Sequence, residues 1–503
     1  MSFIDTFLNR ITMYRLVLYE LLALLFVAGV VSAFGWLPFS VLHLAWSVAL
    51  IALGAFVFNM VFAYAFDAPT NPESTYITAL ILALIISPPA SFTDQAFLTL
   101  AFWATGWAIA SKYIFAIRDK HLFNPAAFGV AATALILGQS ASWWIGTSTM
   151  LPFVLIGGFL VVRKIKRFDL VSAFLVTAGS GIVFSALVHG IGLFQGLTNA
   201  VVLVPTIFFA SVMLTEPLTT PPTRALRILY GVFVGLLFYP DLHVGGTYLT
   251  PELALLAGNL LSYAMSPKTK LVLTLTNRIR LSPSMYEFVF APNRPLAFQS
   301  GQYLEWTLPH EAYDSRGVRR YFTIASAPSD SAVRLGVKFY DPASSFKKTL
   351  GSLARGDQLI ASQLAGDFTL PRDKHRKLVF IAGGIGITPF VSMIRHMLNE
   401  NEARDIVLLY ANNTTAEVAY RELLERATAL GVRTVHAISK DPTTATRISR
   451  IDAAAIRTAV PDFLDRTFYI SGPHGLVAGM HTTLRDLDVP ASRIKTDYFP
   501  GFA

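Results

Sequence analysis

The stretch VFIAGGIGITPFVSMIRH, residues 379–396, runs apolar, breaks into a glycine-rich turn and resumes with apolar residues at helical spacing. Such a segment predicts a strand, a tight turn and a helix. Its small residues, Gly383, Gly384 and Gly386, let backbone N–H groups approach a ligand, and Thr388 and Pro389 open the helix. The positive end of that helix suits a phosphate, so the segment is a candidate cradle for a dinucleotide's pyrophosphate.

The surroundings fit this reading. Apolar strands (KLVFIAGG, DIVLLYA, RTVHAIS, RTFYISGP) alternate with the helical stretches PFVSMIRHMLNE and EVAYRELLERATALG, a pattern that argues a parallel α/β sheet over residues 376–503. Upstream, KLVLTLTNRIRL, MYEFVFAP, GQYLEWTL and RRYFTIASAP read as short strands punctuated by Pro, Gly and Ser. They predict a small antiparallel β-barrel over residues 267–375.

The rest of the chain has another texture. Of 503 residues, 53% are hydrophobic and only 15% charged, which is too apolar for a wholly water-soluble enzyme. The excess lies before Met265, where ten membrane spans are expected at 14–36, 40–66, 75–88, 95–117, 124–138, 150–163, 170–190, 199–214, 225–240 and 248–265. Residues 1–266 form this transmembrane α-helical domain. Its Lys and Arg residues fall on alternate loops, which places the N-terminus and the C-terminal half in the cytoplasm of a bacterial-type inner membrane. The first segment, followed by further spans, reads as an anchor and not as a cleaved signal. The net charge of +9 is assigned to loops facing anionic membrane lipid, not to nucleic acid.

The chain has no cysteine, which excludes disulfides and cysteine-ligated iron–sulfur clusters. Any redox centre is then an organic cofactor or a histidine-ligated metal. His43, His189 and His243 lie on separate elements, so no metal site is expected.

Two loops in the membrane half are richer than connection requires, KHLFNPAAFG (120–129) and MLTEPLTTPPTRALR (213–227). Asn124 precedes a proline that suits a first helical turn, and Glu216 puts a carboxylate at the membrane edge. Both fit ordinary caps and turns as well as a site for a polar ring system. DAPTNPESTYITALI (67–81) is weakly similar to TEPLTTPPTRALRIL (215–229), a hint of internal repetition.

The span pattern and these two loops resemble the membrane flavoprotein components of the sodium-pumping NADH:quinone reductase and of the Rnf complex. The resemblance covers roughly residues 10 to 265. It implies riboflavin or FMN bound at the cytoplasmic edge by Asn124 and Glu216, where the family more often has Asp. That family also esterifies FMN to a threonine of an SGAT-type motif. Thr149 in SWWIGTSTMLP (142–152) falls at that place, but the acidic residue and the Gly–Ala pair are missing, so non-covalent flavin is favoured. Trp143 and Trp144 read as interfacial anchors.

Barrel followed by α/β layer resembles the ferredoxin–NADP reductase family, over about residues 268 to 503. RYFTIAS matches R-x-Y-S-x-x-S. By that match Arg320 holds the FAD pyrophosphate, Tyr321 and Phe322 flank the flavin with Phe322 stacked on it, and the Thr323 hydroxyl lies near flavin N5. DPASSFKKTLGSL (341–353) supplies Ser345 and Lys347 for the pyrophosphate. Gly383, Gly384, Gly386, Thr388 and Pro389 match G-G-x-G-x-T-P. In YISGPHGL (469–476), Ser471 replaces the family's cysteine beside the nicotinamide and is followed by Gly472 and Pro473. The tail TDYFPGFA offers Tyr498, Phe499 or Phe502 as the aromatic covering the flavin. LLYANNTTAEVAYREL (408–423) has no cation at Asn412, Asn413 or Thr414, which favours NADH, with NADPH possible.

Together these resemblances imply a membrane-bound NAD(P)H-oxidising flavoprotein. Electrons would pass from NADH through FAD to the membrane-domain flavin and then to quinone or another acceptor. The alternatives are a transmembrane conduit to an outer-face acceptor, and a transporter or anchor carrying a reductase.

Overall fold

The computed structural model describes residues 4, 7, 8, 11–68, 72–117, 120–198, 205–266, 270–311, 313, 314, 317–440 and 448–497. The chain divides into two compact units, residues 2–269 and 270–503. The tail residues Tyr498, Phe499 and Phe502 lie outside the described residues.

The first unit is helical: α1 (Met13–Ala33), α2 (Val41–Ala65), α3 (Pro72–Ile85), α4 (Gln95–Ile114), α5 (Pro125–Leu137), α6 (Leu151–Ile165), α7 (Phe168–Val188), α8 (Leu193–Thr198), α9 (Arg224–Leu237) and α10 (Pro251–Met265). Their starts are written in the sequence. Thr12, Ser40, Asp94, Asn124 and Thr250 each accept a backbone N–H as N-cap, and Pro125 and Pro251 occupy first-turn positions, where the missing N–H costs nothing.

The unit is apolar outside as well as in its core, and it also buries polar side chains. Phe26, Leu42, Tyr64, Val176 and Phe194 are exposed, whereas Ser47, Asn59, Thr105, Thr133, Glu252, Asn259 and Ser262 are buried. In a water-soluble bundle the hydrophobic effect would reverse this. Glycines let helices meet backbone to backbone: a Cβ on Gly231 of α9 would lie 2.7 Å from the Leu170 carbonyl of α7, and one on Gly235 would lie 2.8 Å from Thr177. Small residues at crossings are how helices pack where lipid removes the hydrophobic drive between them.

The expected ten spans are corrected here. Three of the described helices, α1, α2 and α7, are long and apolar enough to cross a membrane. Hydropathy marks apolar segments whether or not they are long enough to span. The segments expected at 75–88, 124–138, 150–163, 225–240 and 248–265 fold as helices of 14, 13, 15, 14 and 15 residues. At 1.5 Å per residue each is roughly 20–23 Å long, short of a hydrocarbon core of about 30 Å. Helix α4 has 20 residues but carries Gln95, Thr99, Thr105, Ser111 and Lys112. In 199–214 the described part is a turn of α-helix, Thr206–Phe208, running into a π-helical turn, Phe209–Met213.

The second unit opens with six strands, β1 (Leu271–Arg280), β2 (Met285–Pro292), β3 (Tyr303–Thr307), β4 (Arg319–Thr323), β5 (Val333–Lys338) and β6 (Gln358–Ala365). They form one antiparallel sheet in the order β4-β3-β6-β1-β2-β5. The sheet curls around Phe288, Phe290, Leu304, Trp306 and Phe346. A bond from Ala325 N–H to the Arg334 carbonyl, 2.8 Å, ties the segment after β4 to β5 across the open seam. Helix α11 (Ser345–Ser352) follows β5.

The α/β part has β7 (Leu378–Gly383), β8 (Ile406–Asn412), β9 (Val432–Ile438), β10 (Thr467–Ser471) and β11 (Ile494–Asp497), parallel in the order β9-β8-β7-β10-β11. Helices α12 (Thr388–Asn399), α13 (Arg421–Ala427), α14 (Ala453–Ala459) and α15 (His474–Asp486) complete it. Every residue of β7 is buried, as expected of a central parallel strand covered on both faces. The antiparallel sheet is locked to α12 by buried Glu287 of β2, which accepts from Arg395 at 2.9 and 3.1 Å and from Arg334 at 2.8 Å. Removing one partner of such a cluster leaves an uncompensated buried charge.

Packing at the helix crossings sets the cost of a methyl group there. Gly231→Ala, whose methyl meets backbone, costs ~1–3 kcal/mol, the range for overpacking. Gly54→Ala, with only Thr105 Cγ2 at 3.7 Å, stays within about 0.5 kcal/mol; thermal melts of detergent-purified protein followed by tryptophan fluorescence separate them. In the α/β part, Arg466 pairs with Asp405 at 2.7 and 3.0 Å and with Asp462 at 2.7 Å, and Lys377 reaches Asp462 at 2.8 Å. Hydrogen bonds from Arg466 and then Lys377 hold the Asp462 carboxyl below its ordinary range. The folded state thus binds this proton less tightly than the unfolded state, so the stabilisation is present above about pH 4 and lost as pH falls below it. Asp462→Asn should flatten the acid limb of a urea-midpoint against pH curve, and an unchanged limb would contradict this.

Candidate functional site

The glycine turns meet at the C-terminal ends of β7 and β10, which run parallel with Ala382 opposite Ser471. Residues Gly384–Ile387 form a 3-10 turn between β7 and α12. Gly384 takes φ +53, a left-handed conformation that glycine adopts without penalty. A Cβ on Gly386 would lie 2.5 Å from Gly472 Cα and from the Ser471 carbonyl, and one on Gly383 would lie 2.8 Å from Leu476 and 3.1 Å from Pro473. Two motifs far apart in sequence are therefore seated on each other, with no room for a methyl group.

The turn is braced from beneath. Tyr410 of β8 donates its hydroxyl to the Gly384 carbonyl at 3.2 Å, and burial pushes that phenol above its ordinary range, keeping it a neutral donor. Thr388 is buried, with its hydroxyl on the Ile385 carbonyl at 3.1 Å, and Pro389 is buried in the first turn of α12. Ser392 joins α12 to the antiparallel sheet through the Ser326 carbonyl at 2.7 Å. Ser471 is buried at the tip of β10 and Pro473 is exposed beside it. A helix start reached through a glycine turn gives this crevice the chemistry for a pyrophosphate.

On the antiparallel sheet, β4 alternates as strands must. Arg320 and Phe322 share one face: the Arg320 guanidinium lies 5.3 Å from the Phe346 ring centroid, and the Phe322 ring is 5.8 Å from it. Tyr321 lies on the other face, donating to buried Glu305 at 2.9 Å, and Thr323 is buried at the end of the strand. Phe322 is thus half-buried against α11.

Arg320 and Ser345 converge on a residue that sequence reading missed. Asp314 accepts from Arg320 at 3.2 Å and from the Ser345 N–H at 3.2 Å, while its own N–H donates to Ser345 Oγ at 2.9 Å. Asp314 sits in a loop without a motif, and its only sequence signal is a carboxylate shortly before an arginine pair. Lys347 turns toward β5, donating to the Lys338 carbonyl at 2.8 Å and lying 4.8 Å from the Tyr340 ring centroid. Ser344 caps α11 by accepting the Lys347 N–H. Cations and a capped helix start gathered here have the donor chemistry for a flavin dinucleotide's diphosphate.

In the helical unit, Asn124 and Glu216 are brought together. Asn124 Nδ2 donates to Glu216 Oε2 at 3.0 Å, and His121 Nε2 meets Glu216 Oε1 at 3.0 Å. The Asn124 N–H donates to Asn259, whose own amide donates to Tyr230 at 3.0 Å. Lys112, held by Ser74 at 3.0 Å, stands on the same side. Asn124, Glu216, Ser74, Thr78 and Thr215 line a crevice of about 70 Å³. The donor set suits a polar ring, but the volume holds a few waters and not a three-ring isoalloxazine. Thr149 is half-buried in the turn before α6 and is not among the residues that line this crevice. Trp143 and Trp144 are not interfacial: both are buried, donating to Glu252 and to the Ala83 carbonyl. Among the described residues no cluster of metal-ligating side chains is found.

Residues 380–482 match the family described as "Oxidoreductase NAD-binding domain". A flavohemoprotein of Deinococcus radiodurans is 28% identical over 211 residues, 40% of this chain and 52% of that protein. The phenol hydroxylase P5 protein of Acinetobacter pittii is 33% identical over 147 residues, 29% of this chain and 40% of its own length. The flavohem-like FAD/NAD-binding domain of nitric oxide dioxygenase from Vibrio cholerae aligns with a TM-score of 0.42 at 22% identity, covering 46% of this chain and 98% of that one. The chain spans about half the length of the curated relatives it matches first. The class of the second unit is an NAD(P)H-binding flavoprotein oxidoreductase domain, and the chain carries the reductase module of an NAD(P)H-dependent flavin oxidoreductase.

Gly386→Ala should leave bound FAD unchanged and raise the KM for NADH about tenfold or more, because backbone cannot yield to the methyl group. Arg320→Ala should do the reverse, purifying with depleted FAD, as loss of a charge-assisted bond worth about 1.5–3 kcal/mol requires. Flavin extraction and NADH titration on both variants check the pair.

Proposed function

We propose that this chain is a membrane-bound NAD(P)H-oxidising flavoprotein that passes electrons from cytoplasmic NADH through FAD to quinone. Flavin, when bound, supplies the conversion of a two-electron hydride donor into single-electron transfer. The residues assigned to the dinucleotides are those of the interlocked turns and of the Asp314 cluster. Gly383, Gly384, Gly386 and Gly472 admit phosphate to backbone N–H groups, while Thr388 and Pro389 begin the helix that attracts it. Arg320, Ser345 and Lys347 hold the second diphosphate. Thr323 and Ser471 are the small polar groups assigned to the place where the rings meet. NADH is preferred because Asn412, Asn413 and Thr414 bring no cation to a 2′-phosphate.

The observation that carries the membrane side is the hydrogen bond between Asn124 and Glu216, two residues 92 apart in sequence, at a polar crevice inside a unit whose surface is apolar. A polar pocket in such a unit is where an acceptor or its ring edge would be bound. As described, the crevice is too small for flavin, so no transfer step is derived through one.

Detergent-purified full-length protein should carry FAD and oxidise NADH with quinone as acceptor. Protein beginning at Lys270 should keep NADH oxidation with an artificial acceptor and lose the quinone activity, and Asn124→Ala in the full chain should raise the KM for quinone at unchanged FAD content. Quinone reduction unaffected by either change would reject the crevice as the acceptor site and leave a reductase tethered to a helical unit of other function.

A further inference from the structure

The strongest unexplained group lies deeper in the helical unit than the crevice. Glu20, midway along α1, is 7% exposed, and among the described residues neither carboxyl oxygen has a hydrogen-bond partner. It is packed onto α6 where Gly157 makes room: a Cβ there would lie 2.7 Å from Glu20 Oε1 and from Glu20 Cγ. The neighbouring Gly158 faces Ser211, where a Cβ on the glycine would lie 2.7 Å from the Ser211 Cβ, but the Ser211 hydroxyl is spent on the Ile207 carbonyl.

The charged and titratable groups on the helices packed against α1 are accounted for elsewhere. On α3, Glu73 is 4.0 Å from Arg15 of α1, and Tyr76 is exposed. On α6, Lys164 donates to the Leu8 carbonyl at 2.7 Å, and Arg163 lies 5.8 Å from the Phe159 ring centroid. On α2, His43 packs on Phe92 and Tyr64 is exposed. On α1 itself Tyr19 is exposed, and Tyr14 lines the crevice.

An ionised carboxylate without partners in such a place is far costlier than a neutral acid. The crevice begins one helical turn away: Val17 of α1 and Val161 of α6 line it, one turn along from Glu20 and Gly157 respectively. That turn is about 5 Å. Ser74, Thr78 and Thr215 give waters in the crevice polar partners.

We propose that Glu20 is a proton-binding site within the helical unit, a neutral carboxylic acid that exchanges its proton with water in the Asn124–Glu216 crevice. The step conserves charge and atoms: the O–H bond of the acid breaks, the proton passes to a crevice water, and the carboxylate keeps the electron pair until reprotonated. It stands on burial and packing, and does not require that the crevice bind flavin.

Infrared difference spectroscopy of the full-length protein tests it. Wild type minus Glu20→Gln at neutral pH should show one protonated-carboxyl C=O band, which shifts in D₂O and disappears reversibly as pH is raised. Gly157→Ala, pressing a methyl into the carboxyl, should displace the band without removing it. It also keeps the test alive if the glutamine variant does not fold. Thr78→Leu, filling the crevice, should slow deuteration several-fold. A difference spectrum with only carboxylate bands at neutral pH overturns the neutral acid. A band that ignores D₂O, or deuteration unaffected by Thr78→Leu, overturns exchange through the crevice.

Discussion

Backbone meeting backbone at Gly386 and Gly472 is the constraint on which the nucleotide unit depends. Parallel strands β7 and β10 place their C-terminal ends side by side, and the two turns that leave them must pass within van der Waals distance. Side chains at either position would force the turns apart and tilt the start of α12. That helix is also the element fixed to the antiparallel sheet by Arg395, Glu287 and Ser392. Those bonds hold the body of α12 in place, so a side chain at the glycines is felt at the helix start, in the nucleotide crevice. Pre-organised donors are effective because their orientation is set before the ligand arrives, and here the orientation is set by steric exclusion between main chains.

The helical unit solves a different problem with related means. Its exterior is as apolar as its core, in which Asn, Ser, Thr and Glu are also buried, so removal of apolar area from water is not what draws helix to helix in such a setting. Close approach through Gly231, Gly235 and Gly158 and the chain of amide and carboxylate bonds from His121 through Glu216, Asn124 and Asn259 to Tyr230 take over that role. Such a network tolerates few vacancies, since an unmet donor in this setting is costly. Against that background, the carboxyl of Glu20, which has no hydrogen-bond partner among the described residues, is an exception of the kind proteins retain for use.

How far the sequence could be read depended on the range of the interaction. The nucleotide turn is local: glycine spacing, a preceding strand and Pro389 are contiguous, so its form and position were legible. The seating of Gly386 on Gly472 was not, because each motif supplies only half of the contact. Asn124 and Glu216 both stood out beside prolines, but nothing in either loop announced that they bond to each other, or that His121 completes the group. Asp314 had no signal beyond its charge. Span counting went furthest astray, because a hydropathy sum accepts apolar helices too short to span and does not register that a π turn occupies 209–213. Trp143 and Trp144 misled for a similar reason: composition suggests an interface, while the indole N–H groups found buried acceptors.

The absence of cysteine gives these pieces a common logic. Without thiolate ligands, the proposed route takes electrons from a dinucleotide on organic rings, and reduced rings differ from oxidised ones in bound protons as well as electrons. Any acceptor reached inside an apolar helical unit then needs protons where water is scarce. A crevice sized for water, lined by hydroxyls and a paired carboxylate, with an unpartnered acid one turn beyond it, meets that need with side chains alone. On the proposed reading the two units divide the chemistry: main-chain donors and cations order the phosphates in one, while buried polar side chains manage protons in the other.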